Sequence, residues 1–279
     1  MAHNVESLIW QRYSETEKNP VKRWYINRQF RKFERFERWA YSTCDRALAV
    51  STEDATLIRD RFGAKQVEVV DNGVDTAFFE PRPQRARDPF RILFLGSLDW
   101  RPNLDGVRLL LDEIFPLVRR QQARATLTIV GRKPAAWLRE LVVGRPGVEL
   151  HADVVDVRPY LSKAGMLAVP LRIGGGSRLK ILEALATGLP VVTTRVGVEG
   201  LQLDPGQHVT QADSSDDFAR ALLETMRHPR EALDQAERGR QRVLERYDWS
   251  GLAERLEAIW LKTAGVAIPL QNDCVLRPV

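Results

Sequence analysis

The chain has 279 residues, of which 44% are apolar and 28% are charged, and its formal net charge at pH 7 is +5. This composition is typical of a globular protein with a sizeable core, and its 2 cysteines are isolated, which argues against a disulfide framework and favours a reducing cytoplasm. No apolar run approaches the roughly 20 residues that cross a bilayer, and we see no signal-peptide apolar region.

The positive charge is concentrated near the N-terminus, in a segment that we predict to be a long helix. Residues 20–41 carry seven Lys or Arg and two Glu, an excess equal to the net charge of the whole chain. Two interpretations are open: a surface helix attracted to anionic lipid, or a helix whose aromatic side chains pack inside while its cations are solvated. We expect the second. The aromatic residues concerned are Trp24, Phe30, Phe33, Phe36 and Trp39.

The remaining elements before residue 90 are few. Residues 46–50 and 67–70 read as strands, and a helix between them begins with Ser51 as N-cap and Asp54 at the third helical position. A stretch rich in proline and charge, residues 80–89, is the best linker candidate. These elements are too few for an independent domain, so we interpret them as the end of a domain whose beginning is missing.

From residue 90 onward, short apolar runs alternate with helical patterns. The runs are apolar almost throughout, as in parallel strands that are covered on both faces. This alternation predicts an α/β fold with a Rossmann-like, doubly wound parallel sheet. The predicted strands are 91–96, 125–130, 148–151, 166–171 and 190–194, the helices between them are 103–120, 135–143 and 157–163, and 215–265 is mostly helical.

The most informative segment is a glycine loop that leads from a strand into a helix, over residues 170–190. Backbone N–H groups of such a loop and the helix dipole attract an anion. Arg178 and Lys180 add positive charge that suits a diphosphate, and Glu183 is placed to accept hydrogen bonds from sugar hydroxyls. Taken alone, the segment also fits a surface turn with solvated charges. The loop residues are Gly174, Gly175, Gly176 and Ser177.

Other candidate residues follow neighbouring strands. Gly96 and Ser97 come directly after the first strand and should face the same crevice, because ligands bind at the carboxyl ends of strands in open sheets. Arg132 and Val154 end the next two strands and are candidates for nucleobase contact; ordinary strand-to-helix loops are the alternative. Arg101 is a weaker candidate for a phosphate contact.

These segments resemble the retaining family 4 (group 1) glycosyltransferases of the GT-B fold, most closely the branch of bacterial polysaccharide and exopolysaccharide clusters. The resemblance implies two Rossmann-like domains that face a cleft, the C-terminal one holding a nucleotide-sugar donor and the N-terminal one an acceptor. The segments that carry it are 49–51, 70–75 with Phe79 and Pro81, 96–103, 130–132 and 170–192.

Measured against that family, the chain lacks most of the acceptor domain. We expect residues 1–80 to be its remnant with the basic helix and a linker strand, residues 90–265 to be the nucleotide-sugar-binding domain, and 266–279 to be a tail. His3 falls where the family has a loop histidine near the donor sugar.

The resemblance also assigns roles to the glycine segment. Many members carry two glutamates seven residues apart; here Glu183 matches the second, which contacts the ribose, whereas the first falls on Gly175. Arg178 and Lys180 would stabilise the departing diphosphate without a metal. No cofactor is expected, and the nucleoside-diphosphate sugar is a substrate.

We therefore expect a glycosyltransferase that uses a nucleoside-diphosphate sugar and a saccharide or lipid-linked acceptor, in the cytoplasm and with peripheral membrane contact through residues 20–41 as an open alternative. The rival is a non-catalytic nucleotide-sugar-binding fragment or subunit that needs a partner chain for the acceptor half. A nicotinamide-dependent oxidoreductase is disfavoured because residues 96–100 lack the G-x-G-x-x-G turn. No nucleic-acid partner is expected, since no recognisable module accompanies the basic segment.

Overall fold

The computed structural model describes residue 2 and residues 4–82, 87–173 and 178–265. Within these ranges the N-terminal part contains three helices and a two-stranded parallel sheet. Its elements are α1 (Glu6–Thr16), α2 (Pro20–Thr43), β1 (Ala47–Ala49), α3 (Thr52–Phe62) and β2 (Val67–Val69).

The ends of α2 and α3 have clear local causes. The Asn19 side chain accepts hydrogen bonds from the backbone N–H groups of the first turn of α2, where Pro20 is also favoured. The Ser51 side chain accepts from the Asp54 N–H at 3.1 Å, which confirms the predicted N-cap of α3. Gly63 ends α3 with a φ of +71°, a conformation that favours glycine.

A six-stranded sheet forms the centre of the rest of the molecule. All neighbouring pairs in it are parallel, and the strand order is β5-β4-β3-β6-β7-β8. The strands are β3 (Asp88–Leu95), β4 (Thr126–Gly131), β5 (Val148–Ala152), β6 (Ala164–Val169), β7 (Val191–Thr193) and β8 (Thr210–Gln211).

Helices cover both faces of this sheet, as expected for strands with continuous apolar runs. The α-helices described after β3 are α4 (Arg101–Leu109), α5 (Phe115–Gln121), α6 (Ala136–Val142), α7 (Arg158–Lys163), α8 (Leu179–Ala186), α9 (Arg195–Val198), α10 (Ser215–Arg227), α11 (Pro229–Arg246) and α12 (Trp249–Thr263). On one face of the sheet Phe94 and Ile129 pack with side chains of α4, α5, α6 and α10, and on the other Leu95 and Val169 pack with α7, α8 and α11. The predicted doubly wound α/β fold is confirmed.

Most predicted strand bounds agree with the structure to within three residues, and two features differ. The helix predicted over residues 103–120 contains a π-helical segment, Leu110–Ile114, between α4 and α5. The N–H of Phe115 donates to the carbonyl of Leu110, five residues earlier, just before Pro116, which has no N–H to donate. Strand β8 was not predicted because its two residues carry no periodic signal.

The linker prediction over residues 80–89 is too long at its end, because β3 already begins at Asp88. Arg87 is also fixed: its guanidinium donates to the carbonyls of Leu161 and Thr187 at 2.5 and 2.6 Å. Residues 83–86 lie outside the described residues.

The aromatic side chains of α2 divide between two environments. Phe33 stacks on Trp10 with ring centroids 5.7 Å apart, facing α1. Trp24, Phe36 and Trp39, by contrast, are 63%, 60% and 62% exposed. The expectation that the aromatic residues of this helix pack inside is therefore wrong for these three. In the described part of the chain, no helix has the length and apolar character needed to span a membrane.

The last helix of the described residues, α12, returns to the N-terminal part. Leu252 and Ile259 of α12 form a small core with Leu48 and Val70. The N–H of Val74 donates to the carbonyl of Tyr247 at 2.8 Å, immediately before α12. The sheet and the N-terminal part are thus joined by packing as well as by the chain.

Candidate functional site

The strand order locates a crevice. Since β4 and β5 lie on one side of β3, and β7 and β8 lie beyond β6, the order of connection reverses between β3 and β6. Ligands of open α/β sheets bind at such a switch point, outside the carboxyl ends of the strands. Gly96 and Ser97 follow β3, and the segment from Pro170 to Arg178 follows β6. The loop residues Gly174, Gly175, Gly176 and Ser177 lie outside the described residues, as does His3.

Arg178 is a buried cation at the N-cap of α8, with 8% of its surface exposed. Its Nη2 donates to the carbonyl of Val196 at 3.4 Å. Burial lowers the pKa of Arg178 to about 10, Glu199 opposes that change, and Arg12 adds to it. The guanidinium remains charged at neutral pH and is held beside the crevice in a poorly hydrated position.

Lys180 is directed to the same crevice by a neighbouring helix. Its Nζ donates to Oδ1 of Asn103 on α4 at 2.8 Å and lies 4.9 Å from the centre of the Phe94 ring. Burial lowers the pKa of Lys180 to about 7, with Arg178 adding to the effect and Glu183 opposing it. A lysine with this pKa gains a proton readily when an anion approaches.

Asn103 is the residue that sequence reasoning missed. It is buried, its Oδ1 accepts from Lys180, and its Nδ2 donates to the carbonyl of Ser97 at 2.9 Å. One amide therefore connects the loop after β3 with α8. A Cβ on Gly96 would lie 2.7 Å from Cγ of Asn103, so a larger residue at position 96 would displace the Asn103 amide. Asn103 belongs to the family-like segment 96–103, but nothing in that segment indicates a partner 77 residues away.

Glu183 lies on α8 one turn after Lys180 and is half-buried. Burial raises the pKa of its carboxyl, and Lys180 lowers it. Lys180 and Glu183 lie on the polar side of this helix, beside the buried Ile181 and Leu182. Thr187 is the C-cap of the helix, and its hydroxyl donates to the carbonyl of Ala184 at 2.7 Å.

The candidates after the other strands are brought near this edge of the sheet, but not into contact with Lys180. The Ser97 hydroxyl donates to Asp99 at 2.8 Å. Arg132 is exposed at the end of β4, next to β3. Val154 follows β5, one strand further away, and lines a cavity of about 500 Å³ with His151 and Tyr160.

The N-terminal part contributes charged groups to the crevice. Arg12 on α1 donates from both Nη atoms to the two carboxylate oxygens of Glu199, each at 2.6 Å. Asp54 on α3 is buried, and burial raises the pKa of its carboxyl while the Ser51 hydroxyl lowers it. Glu199 and Asp54 both stabilise the charged form of Arg178. The sequence offers no signal for the contact of Arg12 with Glu199, since 187 residues separate them.

Arg101, the weaker phosphate candidate, contacts α1. Its guanidinium carbon lies 3.3 Å from the centre of the Tyr13 ring, and its Nη2 is 3.7 Å from Oε2 of Glu17. Trp100 beside it is 51% exposed. In the ranges that the structure describes, no three His, Cys, Asp or Glu side chains are grouped to hold a metal ion.

Comparison with protein families gives the context for this arrangement. The family of group 1 glycosyl transferases matches residues 89–228, half of the chain, and the family 4 glycosyltransferases match residues 7–78. The chain belongs to the group 1 glycosyl transferases. The matched ranges contain Asn103 and the described site residues of α8.

Relatives of this glycosyl transferase match most of its length but extend beyond it. It is 28% identical over 257 residues to a mannosyltransferase of Mycolicibacterium hassiacum, named MMP alpha-(1->4)-mannosyltransferase, covering 87% of this chain and 58% of that protein. It is 26% identical to a glycogen synthase of Mycobacterium tuberculosis over 85% of this chain and 59% of that one. The chain thus spans less than two thirds of these relatives.

Solved structures agree on the fold. The sucrose-phosphate synthase of Thermosynechococcus elongatus gives a TM-score of 0.72 at 20% identity, covering 94% of this chain and 67% of that chain. Anabaena Alr3699/HepE in complex with UDP-glucose gives 0.70 at 15% identity over 83% of this chain and 68% of that chain. TarM gives a TM-score of 0.71 at 14% identity, covering 82% of this chain and 46% of that chain. At these identities the likeness establishes the Rossmann-like GT-B fold.

Proposed function

We propose that this glycosyl transferase binds a nucleoside-diphosphate sugar at the β3–β6 crevice and transfers the sugar, with retention of configuration, to an acceptor in cell-surface polysaccharide or glycoconjugate synthesis. Residues 90–265 would hold the donor and residues 1–80 would contribute to the acceptor side. The names of the relatives, a mannosyltransferase and a glycogen synthase, and the UDP-glucose in the HepE structure support this donor class.

The observation that carries the proposal is the pair of desolvated cations on α8. Arg178 and Lys180 stand at the start of a helix at the switch point, and burial lowers the pKa of both. Arg178 is buried and Lys180 is partly buried. The charge of Arg178 lowers the pKa of Lys180, so a diphosphate that contacts both cations would offset this repulsion.

Glycosyl transfer requires positive charge beside the departing diphosphate, which Arg178 and Lys180 would supply. Transfer breaks the bond between the anomeric carbon of the sugar and an oxygen of the diphosphate, and negative charge builds up on the departing nucleoside diphosphate. Arg178 and Lys180 would stabilise that charge more strongly in a poorly hydrated crevice than in water, without a metal ion. The oxygen of the acceptor hydroxyl forms the new glycosidic bond, and its proton passes to the departing nucleoside diphosphate.

The neighbouring residues would recognise the rest of the donor. Glu183 would accept hydrogen bonds from the ribose, and Arg132 and Val154 would contact the nucleobase. Gly96 and Ser97 would border the diphosphate together with the loop Gly174, Gly175, Gly176 and Ser177, while His3 would approach the donor sugar. Of these, the ribose contact of Glu183 and the approach of His3 to the donor sugar rest on the family resemblance.

Calorimetric titration of the chain with UDP, GDP, ADP and their sugars tests this proposal. Arg178→Ala is expected to weaken binding of the preferred nucleotide about 100-fold, because it removes a buried charge-assisted contact. The matched control Arg220→Ala removes a 67% exposed arginine on α10 and should change affinity less than about twofold. Absence of binding by every nucleotide, or equal effects of the two variants, contradicts the proposal.

Retention needs its own measurement. With a nucleotide sugar that is turned over, the proton coupling at the anomeric position of the product should report the same configuration as in the donor. An inverted product would remove this part of the proposal and leave donor binding in place.

The alternative is a non-catalytic, nucleotide-sugar-binding fragment or subunit that needs a partner chain for the acceptor half. The described N-terminal part favours it, because its sheet has two strands where the donor side has six. Nucleotide binding without turnover, followed by turnover when a second polypeptide is added, would support this alternative. A cytoplasmic location is proposed from the isolated cysteines.

A further inference from the structure

Helix α2 presents an outward face that nothing in the described structure covers. Trp24 and Trp39 are 63% and 62% exposed, Val21 is 73% exposed, and Tyr25 and Phe36 are 54% and 60% exposed. Seven cations of the helix are also exposed: Lys22, Arg23, Arg28, Arg31, Lys32, Arg35 and Arg38. On a helix of 3.6 residues per turn, Trp24, Arg28, Arg35 and Trp39 fall along one stripe, opposite the buried Ile26.

The acidic residues of α2 point away from this stripe. Glu34 accepts from Nη2 of Arg61 on α3 at 2.8 Å. Glu37 is buried, and its carboxylate accepts from the backbone N–H groups of Glu6 and Ser7 at 2.7 and 3.2 Å. The outward face of α2 is therefore cationic and aromatic, with no carboxylate of its own helix on it.

Two grooves meet on this face. One, of about 390 Å³, is lined by Trp24 and the cations Arg28, Arg31, Lys32 and Arg35. The other, of about 420 Å³, is lined mainly by apolar and aromatic side chains, among them Trp10, Tyr13, Val21 and Tyr25. Trp24 belongs to both, so a cationic groove continues into an apolar one.

We propose that this face of α2 lies on an anionic lipid surface, with the cations at the headgroups and Trp24, Phe36 and Trp39 at the boundary of the acyl chains. A membrane of anionic lipid fits both grooves at once, because phosphate headgroups match the cations and the first carbons of the acyl chains match the aromatic groove. A protein partner fits less well, because it would need acidic side chains matched to each of the seven cations, whereas a bilayer of anionic lipid presents phosphates along the whole helix.

The outward face of α2 is connected to the crevice through Tyr13 on α1. Tyr13, in the apolar groove, stacks on Arg101 of α4, two residues before Asn103. Lipid contact at α2 would therefore hold the crevice close to the membrane surface, where a lipid-linked acceptor is presented. The lipid contact itself does not depend on the proposed transferase reaction, and its test needs no donor or acceptor.

Flotation of the chain with vesicles tests the proposal. Vesicles of phosphatidylcholine with about 30% phosphatidylglycerol are expected to bind the chain at least tenfold more strongly than pure phosphatidylcholine, and salt near 0.5 M should remove most of that difference. A triple variant, Arg28→Ala with Arg31→Ala and Arg35→Ala, should lose about tenfold in binding. The double variant Trp24→Ala with Trp39→Ala should lose a similar factor in the anionic vesicles.

A matched control shows whether vesicle binding depends on the α2 tryptophans in particular or on any exposed tryptophan. Trp249 and Trp260 are 62% and 61% exposed on α12. Trp249→Ala with Trp260→Ala removes two equally exposed tryptophans and should change vesicle binding less than about twofold. Circular dichroism and the thermal midpoint of each variant show that the fold is kept.

Three outcomes overturn the proposal. The first is equal binding to neutral and anionic vesicles, and the second is an equal loss for the α2 and α12 tryptophan variants. The third is absence of vesicle binding together with self-association, seen by sedimentation, that Trp24→Ala with Trp39→Ala abolishes; a second copy of the chain would then cover this face. None of these three outcomes changes the result expected from the nucleotide titration. The lipid proposal and the donor proposal can therefore be contradicted separately.

Discussion

Two groups of cations in this molecule have opposite environments. On α8, Arg178 and Lys180 are desolvated, and Lys180 has a fixed partner in Asn103 at 2.8 Å. On α2, seven cations are exposed to solvent, and Trp24 and Trp39 stand among them. The two cations on α8 have fixed positions and altered proton affinities, so a single bound anion can neutralise both. The exposed cations on α2 attract anions through their summed charge, and salt screens that attraction.

Helix α2 carries two kinds of aromatic residue, those packed against α1 and those exposed on its outward face. The largest effect on stability is expected from Phe33→Ala, which should lower the free energy of unfolding by about 2 kcal/mol, because Phe33 packs between α1 and α2 against Trp10. Trp39→Ala, on the outward face, should change it by less than about 0.5 kcal/mol although more surface is deleted. Urea titration of both variants gives the two values.

Equal losses for Phe33→Ala and Trp39→Ala would mean that the outward face is packed in solution, and the comparison between the two cation groups would then fail. A control is available in Phe36→Ala, which removes a 60% exposed ring from the same helix and should behave like Trp39→Ala.

The sequence predicted the fold better than the orientation of α2. Strands such as Ala164–Val169 are apolar on both faces, which indicates their parallel arrangement. The orientation of α2 could have been read from its helical wheel: Phe30 and Phe33 fall beside Ile26, whereas Trp24 and Trp39 fall opposite. Composition alone, with five Phe or Trp among seven cations, does not distinguish inward from outward rings.

The candidate site was predictable only where its residues are close in sequence. Arg178, Lys180 and Glu183 share one helix start, so a short segment reveals them. Asn103 acts on Lys180 from another helix, and Arg12 meets Glu199 from the other end of the chain. Such contacts depend on how the elements pack, and a single sequence does not encode them in any local pattern.

Asn103 offers a sharper test of the buried group than deletion of a cation. Asn103→Ala removes the acceptor that directs Lys180 Nζ and the donor to Ser97, and it should weaken nucleotide binding about tenfold while Lys180 itself is kept. Calorimetric titration measures this change in affinity. Asn27→Ala is the matched control. Oδ1 of Asn27 on α2 accepts from the Ser14 hydroxyl on α1 at 2.8 Å, and loss of this contact should alter affinity less than about twofold.

A role for Asn103 in stability alone would lower the unfolding free energy without changing affinity at a temperature where the variant is folded. Asn103→Asp distinguishes these outcomes further, because a carboxylate next to Lys180 raises the pKa of the amine. The pH dependence of nucleotide binding should then move to higher pH. A pH profile unchanged by this substitution contradicts a contact with Lys180 in solution.

The smallest expected effect is on pH dependence, and it distinguishes the two cation groups directly. Lys180 has a pKa of about 7 in the free protein, and a bound diphosphate should raise it. Affinity for a nucleotide sugar, whose diphosphate does not titrate in this range, is therefore complete below pH 7 and should fall roughly fivefold from pH 6 to pH 8, with proton uptake on binding at pH 8. Lys180→Arg should remove both effects, since arginine stays charged. Vesicle binding through Arg28, Arg31 and Arg35 should stay constant over the same range; a parallel decline in both would show that Lys180 is not the group that titrates.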